Sequence, residues 1–313
     1  MAGVFFLERV SVRTPDGRRP GPVVVVSGAS SGIGHACAID LCRRGFTVVA
    51  GARSEDDLAR LRALNLPGLV ASALDVEDAG SIEAAVAVAE HVAEGRGLAG
   101  LVNCAGISPL GPVEAQSPDT LRRVLEVNVV GAAHLTSRCL PGLRRAGGRI
   151  VNIGSIAGLS ALPFMGAYSA SKHALEGMTD ALRVEVAPWG IDVAIVEVGA
   201  VDTPIASKAL ASLDATLHDA GPYAESLRAF RHAVASSAAQ GLPASRVADA
   251  VAHALTARRP RTRYVVGWEA TWRSWLKRLV PDRWHDRVVQ AVVRLPKRDS
   301  ARQPFTSFMP PST

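Results

Sequence analysis

Seven short runs of β-branched and apolar residues, spaced by longer Ala- and Leu-rich stretches, constrain this chain more than any other feature. The runs are Val23–Val26, Thr47–Ala50, Leu69–Leu74, Leu101–Asn103, Arg149–Ile153, Ile191–Val198 and Tyr264–Val266, and the stretches include Ser81–Glu94 and Asp119–Leu140. Strands that are apolar on both faces need cover on both faces, and intervening helices supply it. The pattern predicts an α/β fold: a Rossmann-like, doubly wound parallel sheet of about seven strands with helices on both faces. Right-handed crossovers bring the C-terminal ends of such strands to one edge, where ligands bind. Functional residues are therefore expected just after strands.

At 313 residues the chain is long enough for two domains or for one large sheet. We read residues 22–267 as a single nucleotide-binding catalytic domain, residues 1–21 as an N-terminal arm, and residues 268–313 as a basic, Trp-rich helical extension with a flexible tail. Charge separates the last part: residues 258–313 carry 13 Lys and Arg against 4 Asp and Glu, leaving 22 against 25 in residues 1–257. Cys37, Cys42, Cys104 and Cys139 have neither zinc-site spacing nor disulfide density and read as reduced core residues. The histidines show no metal-ligand spacing. The start lacks the pattern of a cleaved signal peptide, and no apolar run reaches the roughly 18 residues a membrane span needs. The expectation is a cytoplasmic protein.

The first strand runs into Ser27-Gly28-Ala29-Ser30-Ser31-Gly32-Ile33-Gly34, with a helix read from His35 to Arg44. Glycines at 28, 32 and 34 keep Cβ atoms away from a bound pyrophosphate, and a helix N-terminus offers unpaired N–H groups and a positive dipole end. Three more motifs stand in order. Asn103-Cys104-Ala105-Gly106 follows the fourth strand, Asn128 lies in Glu126-Val127-Asn128-Val129, and Ser155 precedes Tyr168-Ser169-Ala170-Ser171-Lys172 by 13 residues.

With its G-x-x-x-G-x-G and Tyr-x-x-x-Lys spacings, residues 22–267 resemble the short-chain dehydrogenase/reductase (SDR) family. Cys104 stands where the family has a second Asn, and Val198 stands where it usually has Pro before Gly199. The resemblance implies an NAD(P)-dependent oxidoreductase acting on CH–OH donors. It implies cofactor contacts at Gly28, Ser30, Ser31, Gly32, Ile33, Gly34, Asp75, Val76, Asn103, Ala105, Gly106, Tyr168, Lys172, Gly199 and Thr203. Past the second strand, Ala52 occupies the place where NAD-preferring members carry Asp, and Arg53 follows directly. A guanidinium suits the 2′-phosphate of NADP. NADP(H) is therefore favoured and NAD remains allowed; the alternative is that Arg53 is a solvated residue among Glu55, Asp56 and Asp57.

The chemistry expected of the site follows from the reaction. Reducing a carbonyl leaves an alkoxide that must gain a proton, and an ordinary phenol is a weak acid-base partner at neutral pH. Tyr168 and Lys172, four apart on a helix, share one face, where an ammonium favours the phenolate. Ser155 would hydrogen-bond the substrate oxygen, making Ser155 and Tyr168 the substrate-binding pair. By resemblance Asn128 holds a water that links the lysine to solvent, completing a catalytic set of Asn128, Ser155, Tyr168 and Lys172. The other class of function open to such a chain is a catalytically weak NAD(P)-binding regulator or redox sensor.

Residues 205–240 read as a helical lid whose apolar positions (Leu210, Leu213, Leu217, Leu227, Phe230) suit either a hydrophobic alcohol or ketone or ordinary packing. Arg258–Tyr264 resembles the corresponding stretch of steroid- and retinoid-type members. Trp268, Trp272, Trp275 and Leu279 form one helical stripe, and Trp284–Leu295 repeats its character. Core or oligomer-interface packing is the favoured reading of residues 268–295, ahead of peripheral contact with an anionic membrane. The chain carries no dedicated nucleic-acid motif. A homodimer or homotetramer is expected.

Overall fold

The four valines of β1 (Val23–Val26) have no solvent-facing side. In the computed structural model of the chain, which describes residues 20–217, 221–267 and 280–295, alternate valines feed two separate cores. Val24 and Val26 meet Cys37 and Leu41 of α1 (Gly32–Arg43), Leu58 and Leu61 of α2 (Glu55–Ala63), and Val247 and Val251 of α9 (Ala244–Thr256). Val23 and Val25 meet Ile82 of α3 (Ala79–Ala93), Leu135 and Leu143 of α5 (Gly131–Ala146), and Val186 at the end of α6 (Gly166–Val186). A strand covered twice is what an unbroken apolar run requires.

The remaining strands are β2 (Thr47–Ala52), β3 (Leu69–Ala73), β4 (Gly100–Asn103), β5 (Arg149–Ile153), β6 (Asp192–Val198) and β7 (Arg263–Val266). They line up as β3-β2-β1-β4-β5-β6-β7, all parallel. The winding reverses between β1 and β4, which opens a crevice beyond their C-terminal ends. The Rossmann-like sheet and the helices on both faces are as the sequence predicts.

Helix boundaries differ in instructive places. The first helix starts at Gly32 rather than His35, so two glycines of the turn lie inside its first turn. The helical stretch Asp119–Leu140 falls within α4 (Pro118–Leu125) and α5, joined by a π turn at Glu126–Val130. Such a wide turn inserts a residue into the helical ladder, a device common at functional sites. Here it carries Asn128. Ser117 starts α4 by accepting a hydrogen bond from the Thr120 N–H at 3.1 Å.

The lid consists of α7 (Pro204–Leu217) and α8 (Ala224–Ala239). Ala209 and Leu213 of α7 pack with Leu227 and Phe230 of α8 against Leu110 and Phe164. The C-terminal helix α10 (Asp282–Val292) leads into the same cluster: Val293 is buried there, and Ser226 Oγ donates to the Arg294 carbonyl at 2.8 Å. The stripe of Trp268, Trp272, Trp275 and Leu279 lies outside the described residues, as do residues 1–19 of the expected arm and the tail beyond Leu295. Among the described residues, no helix is long and apolar enough to cross a membrane.

Candidate active site

Two loops meet at the point where the sheet reverses. Ser27, just after β1, accepts hydrogen bonds on Oγ from the N–H groups of Cys104 (3.0 Å) and Ala105 (3.2 Å), just after β4. Gly28 has φ +66°, and a Cβ on it would stand 2.9 Å from the Ala105 Cα. Glycine at this position is thus demanded by the neighbouring loop and by the left-handed backbone, before any ligand is considered. Gly34 packs equally tightly, its Cβ position only 2.2 Å from the Gly28 carbonyl oxygen. Gly32 is different, because a side chain there would enter the crevice against Thr203.

The crevice is a cavity of about 220 Å³ running along this turn. Gly28, Ser30, Ser31, Gly32, Ile33, Gly34, Arg53, Val76, Ala105, Gly106, Ser155, Tyr168, Lys172, Gly199 and Thr203 all line it. The N-terminus of α1 opens onto it with no side-chain cap on its N–H groups. A bare helix start, a cradle without side chains and a cation at one end fit a dinucleotide. Cys104 also lines the cleft, and desolvation pushes its thiol up to about 12, so it is no nucleophile at neutral pH.

Arg53 projects half-exposed from the end of β2 at the wall of this cleft, 3.7 Å from Glu77. Two of the three acids that follow it are engaged elsewhere. Glu55 pairs with Arg62, and Asp57 pairs with Arg60 and takes the Ser54 hydroxyl, which with the arginine holds its carboxyl below the usual range. Lys208 on α7 contributes a second cation to the same cleft. No sequence pattern marks it, since it reaches the cleft only through the folding of the lid.

Three residues expected at the site make side-chain contacts within the protein. Asn103 does not line the cleft: its Nδ2 donates to Thr136 Oγ1 (2.9 Å) and Asn152 Oδ1 (2.8 Å), and Asn152 in turn donates to Thr179 (2.8 Å). This buried polar chain ties β4 and β5 to α5 and α6. Asp75 also stays outside the cleft, accepting the Glu77 N–H at 3.0 Å in the turn before α3. Asn128 spends both amide donors, on the Ile107 carbonyl and Ser171 Oγ, each at 2.9 Å, and accepts the Ile107 N–H at 2.8 Å. The π turn thus aims Asn128 at the backbone of the cleft wall, and the side chain braces Ile107 directly.

The reactive side chains sit at the far end of the cleft. Lys172 is buried on α6, its Nζ donating to the Ile153 carbonyl at 2.7 Å and standing 5.7 Å from the centre of the Tyr168 ring. Ser155 stands just past β5, its Oγ accepting the Ala157 N–H at 3.2 Å. Beyond them opens a second cavity of about 340 Å³, walled by Leu110, Leu162, Met165, Ala209, Phe230 and Val234 among others. Ser155 and Tyr168 belong to the walls of both cavities. A polar hydroxyl pair therefore stands where a cradle for a nucleotide meets an apolar chamber.

The β6 turn, which lacks the proline, is held by backbone pairing. The Gly199 N–H donates to Val266 O at 3.0 Å, while Leu242 bonds Ala200 and Asp202 on either side of Val201.

This architecture is that of a dinucleotide-dependent oxidoreductase. The family model of short chain dehydrogenases matches residues 22–214, and the chain belongs to that family. It is an oxidoreductase acting on CH–OH donors with a nicotinamide cofactor. The uncharacterized oxidoreductase YbbO of Escherichia coli K12 is 35% identical over 273 residues, covering 85% of this chain and 93% of YbbO. Retinol dehydrogenase 16 of Mus musculus is 39% identical over 259 residues, covering 79% and 81%. Among solved structures, a short chain dehydrogenase of Burkholderia cenocepacia J2315 in complex with NADP superposes with TM-score 0.67 at 26% identity, covering 87% of this chain and 98% of that one. One from Burkholderia phymatum in complex with NAD gives 0.71 at 27%, covering 87% and 96%.

Proposed function

We propose that this enzyme uses NADP(H) to interconvert a secondary alcohol and its ketone on an apolar, steroid-, retinoid- or lipid-like substrate. The observation that carries the reading is the position of Ser155 and Tyr168 on the shared wall of the two cavities. The bound nicotinamide supplies or accepts the hydride. The turn from Gly28 to Gly34 would hold the pyrophosphate against the start of α1, with Thr203 beside Gly32, and Gly199, Val76, Ala105 and Gly106 would supply further cofactor contacts. Arg53 supports the choice of NADP: its ion pair with Glu77, the only one it makes among the described residues, is long and solvent-screened, which favours a phosphate as partner. Lys208 adds to the same field.

In the chemical step Ser155 donates a hydrogen bond to the substrate oxygen and Tyr168 exchanges a proton with it. Lys172, fixed by the Ile153 carbonyl, places a positive charge beside the phenol as proton density leaves it. Asn128 keeps the Ile107 wall in place. The apolar chamber under α7 and α8 excludes water and takes the hydrophobic body of the substrate.

The assembly we propose is a homo-oligomer in the cytoplasm; a groove between α5 and α6, lined by the partly exposed Ala133, Leu140, Met178 and Leu182, supports the oligomer. For the C-terminal extension, packing on the lid is favoured by the burial of Val293. Exposed Trp284 and Val288 on α10, with Arg287 stacked on Trp284, make membrane contact the second reading.

Tyr168→Phe tests the assignment. Turnover of NADPH with a panel of aliphatic, steroid and retinoid ketones should fall by about 10³-fold, with the NADPH dissociation constant changed less than about twofold. Retained turnover would remove Tyr168 from the chemistry.

A further inference from the structure

Glu197 lies on β6, fully buried, and lines neither cavity. Strand alternation sends Ala194, Val196 and Val198 to the α9 face, where they meet Val247 and Val251. Ile195 and Glu197 go to the α6 face, where Ile195 packs on Leu175. From α6, Lys172, Glu176 and Asp180 fall at successive turns along one stripe. From β7, Arg263 bonds Glu176 Oε2 at 2.9 Å and Asp180 Oδ2 at 2.8 Å. From the end of β5 comes Gly154, whose missing Cβ would be 3.0 Å from a Glu197 oxygen. Glycine there makes room for the carboxyl.

The polar arithmetic of this cluster is uneven. Glu176 Oε2 has its arginine, but no N–H or hydroxyl of the described residues reaches Glu176 Oε1 or either oxygen of Glu197. The two carboxyl groups instead face each other. Two carboxylates are both acceptors, so the contact holds only with a proton between them. Burial and the Glu176 contact push Glu197 up to about 9, against the opposing pull of Arg263 and Lys172.

We propose that Glu197 is a positioning residue for the Lys172 ammonium. As a neutral acid bonded to Glu176 it leaves the lysine charge directed at Tyr168; when it yields its proton to bulk base, its new charge draws the ammonium toward the sheet and turnover fails. This rests on the assignment of Tyr168 and Lys172 above, and it adds an alkaline limit set from behind the site. The charged groups facing Glu197 are Lys172 and Glu176 from α6 and Arg263 from β7.

Two variants give opposite signs. Glu197→Gln, which can still donate to Glu176, should move the alkaline limb of the kcat profile up by about one pH unit or more. Glu176→Gln removes the negative partner, so Glu197 ionises earlier and the limb should move down by a similar amount. Limbs that stay in place in both variants would overturn the proposal. Infrared spectra of the folded wild type, titrated from about pH 6 to about pH 10, need no turnover: a protonated-carboxyl band at neutral pH that disappears at alkaline pH is expected. Its absence overturns the proposal even if a variant fails to fold. A present band in a protein that turns over no alcohol or ketone would mean that the functional reading, not the carboxyl pair, is at fault.

Discussion

The two cavities that meet at Ser155 and Tyr168 are built in opposite ways. The nucleotide cleft is made by loops after parallel strands, with backbone and glycines doing most of the contact. The apolar chamber is made largely by helix faces, with Leu110, Ala209 and Phe230 supplying side chains from three separate segments. The first is fixed to a rigid sheet and tolerates almost no added atom. The second rests on α7, α8 and the segment after α10, which are held to each other by one small cluster. Precision on one side and adjustable volume on the other suit a constant cofactor and a bulky, less rigidly defined substrate.

If that contrast is right, a change of one side chain in the cleft should be far more damaging than a larger change in the chamber. Gly28→Val combines a positive φ with a Cβ 2.9 Å from the Ala105 Cα, and β-branching adds to both problems. The two loops at the sheet reversal cannot both stay in place. NADPH affinity, measured by titration calorimetry, should fall by at least about 100-fold, and the variant should lose roughly 2 kcal/mol or more in urea denaturation. Affinity within a few-fold of wild type would show that the turn gives way as easily as the lid.

The same contrast explains what was legible in the sequence. Fully buried strands leave long apolar runs, and the glycine turn, Ser155 and Tyr168–Lys172 stand at fixed spacings, so the sheet and the reactive end were readable before any coordinates. Asn103, Asp75 and Asn128 are marked by position in a motif alone, and position does not say where an amide or carboxylate points. Asn103 points into the core because Thr136 and Asn152 sit there, 33 and 49 residues away in sequence. Lys208 was invisible for the reverse reason. A lysine in an Ala-rich helix carries no mark of the cleft until α7 folds over it. Glu197 sat in plain view within an apolar strand, and its isolation there was the available signal.

Cofactor choice is a milder test of the same boundary. Arg53 lies at the wall of the cleft, half-exposed, and would form one charge-assisted contact to a 2′-phosphate. Arg53→Ala should raise the NADPH dissociation constant about 10- to 30-fold, equivalent to about 1.5–2 kcal/mol, and leave that of NADH within about twofold. Equal changes for both would make Arg53 a surface residue whose partner is Glu77, and would shift the weight of phosphate recognition to Lys208.

The smallest effect should come from the chamber. Ala233 lies on α8 with its methyl group on the cavity wall and its outer side in solvent, so a larger residue can fit without breaking the cluster around Phe230. Ala233→Phe should reduce kcat/KM for steroid-sized ketones by about 5- to 10-fold, chiefly through KM, because lost volume weakens binding of substrate and transition state alike. Short aliphatic ketones need less of the chamber and should lose less than about twofold. The NADPH dissociation constant should not move, since no residue of α8 lines the cleft. A change in cofactor affinity on this substitution would mean that the lid transmits strain across Ser155 and Tyr168, and that the two cavities respond as one.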